Sequence, residues 1–379
     1  MRAEAVVDLA AIRSAVAALA TRAGDAAVMA VVKADGYGHG ALESARAAIA
    51  GGASWLGVAL IEEAVALRQA GIGVPMLVLV EPPPGAAQIA RQYAVDLAVG
   101  TRAGLEAVAL AAREAGTAGI GTAGGAGRVH LKVDTGLTRG GATPADWPEL
   151  VRAAGSAQAD GLVDVVAVWS HLACADQPGH PSIDRQLAVF AQAVEIASGL
   201  DAPLRHIANS AATVSRPDTH FDLVRPGIAC YGMWPIPAQQ DDLGLTPAMT
   251  LRARVALTKR VPAGTGISYG HSYVTVAETT AALIPLGYAD GVPRAATNTA
   301  QVWIGGRRRR ISGTVCMDQF TVDVGDDEVA AGDEVILFGP GHDGEPTAQQ
   351  WADAIGTISY EITTRIGSRI PRRYVGAGS

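Results

Sequence analysis

The stretch Ala26–Gly40, AAVMAVVKADGYGHG, is apolar through Val32, stops on Lys33, and then scatters three glycines, a tyrosine and a histidine. A short unbroken apolar run closed by glycine-rich chain reads as a fully buried strand followed by a loop. Ending such a strand on lysine is costly, because ordering the side chain loses entropy and shielding it from water loses solvation. Lys33 is therefore either a solvated loop cation or a residue with a partner that compensates for its burial.

Runs of the same kind recur downstream: SWLGVAL, VPMLVLV, AVDLAVG, RVHLKVD, LVDVVAVWS, LRHIAN and FDLVRPG. Between them lie segments such as IEEAVALRQAG and IDRQLAVFAQAVEIASGL, whose apolar residues return every three or four positions, as helices packed on a sheet require. Strict alternation of strand and helix predicts a parallel sheet. Eight such strands suit a closed (β/α)8 TIM-type barrel, although a doubly wound open sheet reads similarly over most of this length.

After about Gly244 the texture changes to MTLRARVALTKRV, TTAALIPLGYAD, AQVWIGGRRRRISGTV, QFTVDV and DEVILFG, which are β-rich runs punctuated by Gly, Asp and Pro. This predicts a mainly antiparallel β domain. The segment MWPIPAQQDDLGLTP marks the boundary, giving a barrel over residues 1–240 and a second domain over 241–379. The basic run GGRRRR, flanked by QVWI and ISGTV, reads as a hairpin turn and not as a phosphate or RNA patch.

With 379 residues, 49% hydrophobic and 18% charged, the chain has the composition of a soluble protein with a large core. A net charge of -7 argues against nucleic acid or an anionic membrane as a partner. Charges at Arg2, Glu4 and Asp8 interrupt any secretory h-region, and no apolar run is long enough for a membrane helix, so a cytoplasmic location is expected. The three cysteines, Cys174, Cys230 and Cys316, have neither zinc-ligand spacing nor an even count, and no metal site is expected.

On this map Lys33 follows the first strand, Lys132 sits near the end of the fifth with Arg139 beyond it, and His171 follows the sixth. His206 and Asn209 follow the seventh, and Arg225 ends the eighth. In a barrel all these strand ends share one rim, so distant residues would converge there.

The segments AVVKADGYGHG, HLKVDTGLTRGG, SHLACAD, HIANSAA, VRPGIACYG, ISYGHSY, LGYADG, VCMDQ and ISYEITTRI, in this order, resemble the alanine racemase family over essentially the whole chain. The resemblance implies a pyridoxal 5'-phosphate enzyme that interconverts L-alanine and D-alanine, supplying D-alanine for peptidoglycan, with a barrel domain and a β domain. An amine in a shielded pocket can form a Schiff base with an aldehyde, which would explain Lys33. For the cofactor phosphate, the start of the short helix in RPGIACYG offers backbone N–H groups at Gly227 and Ile228. The resemblance adds hydroxyls from Tyr37, Ser210 and Tyr360, and places His171 and Asn209 beside the cofactor.

Arg225 would face the cofactor's ring nitrogen; an arginine holds its proton, leaves that nitrogen neutral and weakens the electron sink, which favours return of the proton over transamination. Without the resemblance, Arg225 reads first as a rim ion pair to Asp222. Racemisation needs a base on each face of the α-carbon, and the resemblance assigns Lys33 and Tyr269. Arg139 and the backbone N–H of Met317, with Tyr288 nearby, would receive the substrate carboxylate, while Lys132, His206, Cys316 and Asp318 support the site. The resemblance further implies a homodimer in which second-domain residues serve the partner's site. It also implies that Lys132 can carry a carbamate, against the alternative of an ion pair to Asp134 or Asp164. A racemase of another small amino acid such as serine shares this machinery. A non-catalytic pyridoxal-phosphate-binding barrel would lack ISYGHSY and VCMDQ.

Overall fold

The computed structural model describes residues 2–117, 125–201, 204–236, 239 and 241–376. Strand β1 (Ala3–Asp8) leads into a helix, Leu9–Ala23, whose first turn is capped by the Asp8 carboxylate accepting from the N–H groups of Ala10 and Ala11. Each of the buried runs then becomes a strand: β2 (Ala27–Val31), β3 (Trp55–Val58), β4 (Met76–Val78), β5 (Asp96–Val99), β6 (Gly127–Lys132), β7 (Val163–Trp169), β8 (Leu204–His206) and β9 (Leu223–Val224). They form one eight-stranded sheet in the order β8-β7-β6-β5-β4-β3-β2-β9, with every neighbour parallel.

The two ends of that order meet. Asp222 N–H donates to Arg205 O at 3.1 Å and Arg225 N–H to Ala208 O at 2.9 Å, so the sheet closes on itself and the open-sheet alternative fails. Closure leaves no edge and brings every strand's C-terminal end to one rim. Met29, Leu77, Ala98, Trp169 and Leu223 pack together as a cluster of their own, separate from the main core. Outside, helices bury one stripe against the strands; Ser182–Ile196 turns Ile183, Gln186, Phe190 and Ala193 inward, a spacing of three to four residues.

The second domain contains β10 (Met249–Arg254), β11 (Leu257–Val261), β12 (Gly266–Ile267), β13 (Tyr273–Val274), β14 (Thr279–Ile284), β15 (Gln301–Ile304), β16 (Arg307–Arg310), β17 (Phe320–Gly325), β18 (Glu334–Phe338) and β19 (Arg372–Val375). Its largest sheet runs β16-β15-β18-β10-β1-β19. Thus β1, which lies within the expected barrel segment 1–240, pairs antiparallel with β10 and parallel with β19. The reason lies in its pattern: Ala3, Ala5 and Val7 are buried while Glu4, Val6 and Asp8 are partly exposed, the alternation of a sheet with one covered face and not of a barrel strand covered on both. Arg2 reinforces the seam with an ion pair to the buried Asp290 at 2.8 Å.

The basic run is the hairpin its flanks predict. Gly305 and Gly306 take φ of 59° and 74°, as a two-residue turn joining β15 to β16 demands. Arg307 and Arg309 pair with Asp327, and Arg308 donates to the carbonyl oxygens of Gly344 and Glu345, so three of its four arginines are engaged by the fold itself. Among the described residues no helix is long and apolar enough to cross a membrane, and no cluster of side chains could hold a metal ion.

Candidate active site

Lys33 opens a segment in which Ala34, Asp35 and Gly36 have φ of 53°, 53° and 60°, and Tyr37 follows at 53°. This is a turn of left-handed helix, a conformation that costs L-residues other than glycine about 1–2 kcal/mol each. Packing and specific hydrogen bonds hold it: Ala34 N–H donates to Glu63 Oε1 at 2.7 Å and Ala41 N–H to Asp35 Oδ1 at 2.9 Å. His39 Nδ1 lies 3.0 Å from the carbonyl oxygens of Gly36 and Tyr37, and its ring stacks on Tyr231. Burial pulls His39 down to about 4, so the ring is neutral and donates from Nδ1 to these carbonyls.

The turn aims Lys33 and Tyr37 into a cavity of about 840 Å³ that Lys132, Arg139, His171, Asn209, Ser210, Arg225, Gly227, Ile228 and Tyr360 also line. At one end the groups suit a phosphate. Ser210 Oγ accepts the Gly227 N–H at 2.7 Å, leaving its own hydroxyl to donate. Asn209 caps the helix Ser210–Ser215 by accepting from Ala212 N–H at 3.1 Å. Glycine at 227 leaves room for Tyr37, since a Cβ there would collide with the Tyr37 phenol and force it to shift. Burial keeps the Tyr37 and Tyr360 phenols protonated, the latter pushed up to about 12.

The other end is cationic. Arg225, 4% exposed, donates to His206 Nδ1 at 2.8 Å, to Ser170 O at 2.7 Å and to His171 Nδ1 at 3.3 Å, with its guanidinium 4.7 Å from the Trp169 ring centre. An arginine can only donate, so both Nδ1 atoms are acceptors and both imidazoles are neutral. Burial and neighbouring cations drive His171 and His206 well below the usual range, in agreement. Arg225 itself is pulled down by burial to about 9, which still leaves it cationic at neutral pH. The ion pair to Asp222 does not form; Asp222 binds Arg205 at 2.8 Å.

Lys33 is lowered by burial and by Arg139, and Lys132 falls to about 8 through burial beside Arg139 and Arg225. Neither acid proposed for Lys132 pairs with it. Asp164 binds Arg128, the Asp134 carboxylate accepts N–H groups of Gly136 and Thr138, and Lys132 Nζ sits 4.5 Å from the Trp169 ring centre.

Tyr269, Tyr288, Cys316 and Met317 gather elsewhere, on the second domain. Thr314 Oγ1 donates to Tyr269 O at 2.8 Å, Tyr288 N–H to Cys316 O at 3.1 Å and Ala289 N–H to Met317 O at 2.9 Å. Asp318 pairs with Arg369 at 2.8 Å. Tyr269, Met317 and Tyr288 are 75%, 54% and 44% exposed, and none lines the cavity of Lys33 within one chain.

Known proteins share this two-domain fold along the chain's length. The family model described as alanine racemase, N-terminal domain, matches residues 7–235, and that for the C-terminal domain matches residues 248–374. The chain belongs to the alanine racemase family. The alanine racemase of Frankia casuarinae is 58% identical over 99% of this chain and 97% of its own, and that of Thermobifida fusca 57% over 99% and 98%. The crystal structure of alanine racemase from D-cycloserine-producing Streptomyces lavendulae superposes with a TM-score of 0.94 at 51% identity, covering 100% of this chain and 98% of that one. The alanine racemase of Streptomyces coelicolor gives 0.95 at 52%, with coverage of 99% and 98%.

Beyond the residues expected of the alanine racemase family, the structure adds Glu63, Trp169, His130 and Asp96 to the site's surroundings. Trp169 stacks on His206 as well as underlying Arg225. Its position at the end of LVDVVAVWS, beside His171, was a visible signal. Glu63 was not distinguishable from any other acid in a helix's first turn.

Proposed function

We propose that the protein is an alanine racemase that holds pyridoxal phosphate in the 840 Å³ cavity and interconverts L-alanine and D-alanine, supplying D-alanine for peptidoglycan. The observation that carries this reading is the convergence on one cavity of a lysine with lowered proton affinity, a glycine whose Cβ would fill the space by Tyr37, a free Ser210 hydroxyl and a buried arginine. These groups fit the cofactor. Ser210, Tyr37, Tyr360 and the Ile228 N–H would hold its phosphate, Lys33 its aldehyde, and Arg225 its ring nitrogen. Asn209 and His171 would flank it. Pyridoxal phosphate, when bound, supplies an aldehyde that condenses with the substrate amine and a conjugated ring that makes the α-proton acidic.

The chain's own groups do the rest. Lys33 Nζ, neutral more readily than an exposed lysine, takes or returns the α-proton on one face. Tyr269 Oη serves the opposite face. Because Tyr269 does not line the cavity of its own chain, the second base comes from a second copy, and so do the Met317 N–H and Tyr288. Arg139 and Met317 orient the substrate carboxylate, and the ring walls of Tyr288 and Tyr360 favour a methyl side chain. His206 and His171 fix Arg225, whose retained proton keeps the ring nitrogen unprotonated and limits transamination. A carbamate on Lys132 would exchange a third cation for an anion beside Arg139, and the lowered Lys132 supplies the free amine that carbon dioxide needs.

Borohydride reduction followed by peptide mapping tests the core of this reading. The purified protein should be yellow, and the tethered cofactor should map to Lys33. A tether on any other lysine refutes the assignment.

A further inference from the structure

Arg225 is a buried cation whose immediate partners are all neutral: the carbonyl oxygens of Ser170 and Ile207, the imidazoles of His206 and His171, and the face of Trp169. Among the described residues none of its partners is a carboxylate. A buried charge lacking an anion is unstable unless one is supplied through its hydrogen bonds.

The anion stands at the far end of a line that descends through the barrel. His206 Nε2 is 2.9 Å from His130 Nδ1, and His130 Nε2 is 3.2 Å from Asp96 Oδ2. Both histidines are fully buried and Asp96 is 2% exposed. The proton positions follow from Arg225 alone. Since it donates to His206 Nδ1, the His206 proton is on Nε2 and is donated to His130 Nδ1; the His130 proton is then also on Nε2 and reaches the Asp96 carboxylate. No other placement satisfies every contact. Beyond Asp96, Arg128 binds it at 2.7 Å and is itself bound by Asp164 at 2.9 Å. The line therefore starts at the strand-end rim with Arg225 and finishes near the starts of β5, β6 and β7, on the opposite side of the barrel.

We propose that Asp96 is the counter-ion of Arg225, acting through His130 and His206, and that Asp96 and His130 are positioning residues which hold Arg225 cationic and singly oriented toward the cofactor ring nitrogen. The proposal rests on reading the cavity as a pyridoxal phosphate site. Its chemical consequence is control of the reaction's fate: with the anion removed, Arg225 surrenders its proton or its place, the ring nitrogen becomes free to protonate, and the electron sink strengthens. More turnovers should then end in transamination, in which alanine is oxidised to pyruvate while the cofactor's aldehyde is reduced to the amine.

The test has two arms. In the first, nitrogen NMR of 15N-histidine-labelled wild-type protein reads the tautomers directly. His206 and His130 should both be neutral with the proton on Nε2, and a proton on His206 Nδ1 overturns the proposal. In the second, His130→Phe, which fills the space without hydrogen bonds, is set against His130→Gln, which keeps one acceptor and one donor, and against the isosteric Asp96→Asn. His130→Phe and Asp96→Asn should lower kcat for alanine about ten- to hundredfold with KM within about twofold, and raise the pyridoxamine phosphate formed per turnover about tenfold; His130→Gln should recover most of both. Equal losses in the Phe and Gln variants, or an unchanged amine yield in Asp96→Asn, overturn it. If His130→Phe fails to fold, Asp96→Asn alone decides this arm. Failure of wild-type protein to bind pyridoxal phosphate would sink the cofactor reading, while the NMR arm would still judge the relay.

Discussion

Lys33 and Tyr269, the two bases proposed above, stand in very different surroundings. Lys33 is recessed, and burial, aided by Arg139, favours its neutral form, whereas Tyr269 stands 75% exposed on another domain, awaiting a surface to complete it. If each serves one face of the α-carbon, loss of one phenol must affect the two enantiomers unequally before turnover equilibrates them. In deuterated water, Tyr269→Ala should slow α-proton exchange from L-alanine by about 100-fold or more while leaving exchange from D-alanine, through Lys33, within about tenfold of wild type. Equal slowing from both isomers would remove Tyr269 from the pair of bases. The strand-end residues were legible because a cation or histidine closing an apolar run is conspicuous. His130 and Asp96 were not: one falls inside the run RVHLKVD and the other inside AVDLAVG, and only the pairing of β5 with β6 and of β6 through β7 to β8 shows that they touch.

At the scale of elements, all eight barrel strands were readable from length and apolarity, since strands covered on both faces leave continuous hydrophobic runs. The N-terminal strand was not assigned to its sheet, because AEAVVD carries the alternation of a half-covered strand but no mark of its partners, which lie in the second domain. Register and closeness also escape sequence. Gly227 looks like any glycine after a proline, yet the strand end and the turn at Lys33 approach so nearly that one methyl group would collide with Tyr37. Gly227→Ala should therefore push Tyr37 and the short helix Ile228–Tyr231 out of place, costing about 1–3 kcal/mol of stability and weakening retention of pyridoxal phosphate about tenfold or more. Thermal unfolding and equilibrium dialysis measure the two effects. Unaltered retention would show that the contact is not part of the phosphate site.

For the molecule as a whole, a chain whose two sets of site residues point in different places reads as half of an assembly. Among the described residues, Tyr269, Met317 and Tyr288 are large exposed side chains on the second domain, and a second copy placing them over the cavity would both cover them and finish the site. Mixing Lys33→Ala and Tyr269→Phe proteins under conditions of subunit exchange should restore activity, because each hybrid dimer then contains one intact pair of bases. Proven exchange without any recovery would exclude shared sites.

The left-handed turn behind Lys33 also bears on the order in which this protein folds. The intrinsic preference of the chain is against that conformation; the local bonds from Ala41 N–H and His39 offset it only in part, and the other groups that hold it, Glu63 and Tyr231, belong to chain that must already be docked. The turn is therefore expected to form late, outside the rate-limiting nucleus, with the site assembled onto a barrel that is already closed. Glu63→Gln should consequently hasten unfolding while leaving the folding rate nearly unchanged, a division that denaturant-jump kinetics can measure. A matching drop in the folding rate would place the turn in the nucleus instead.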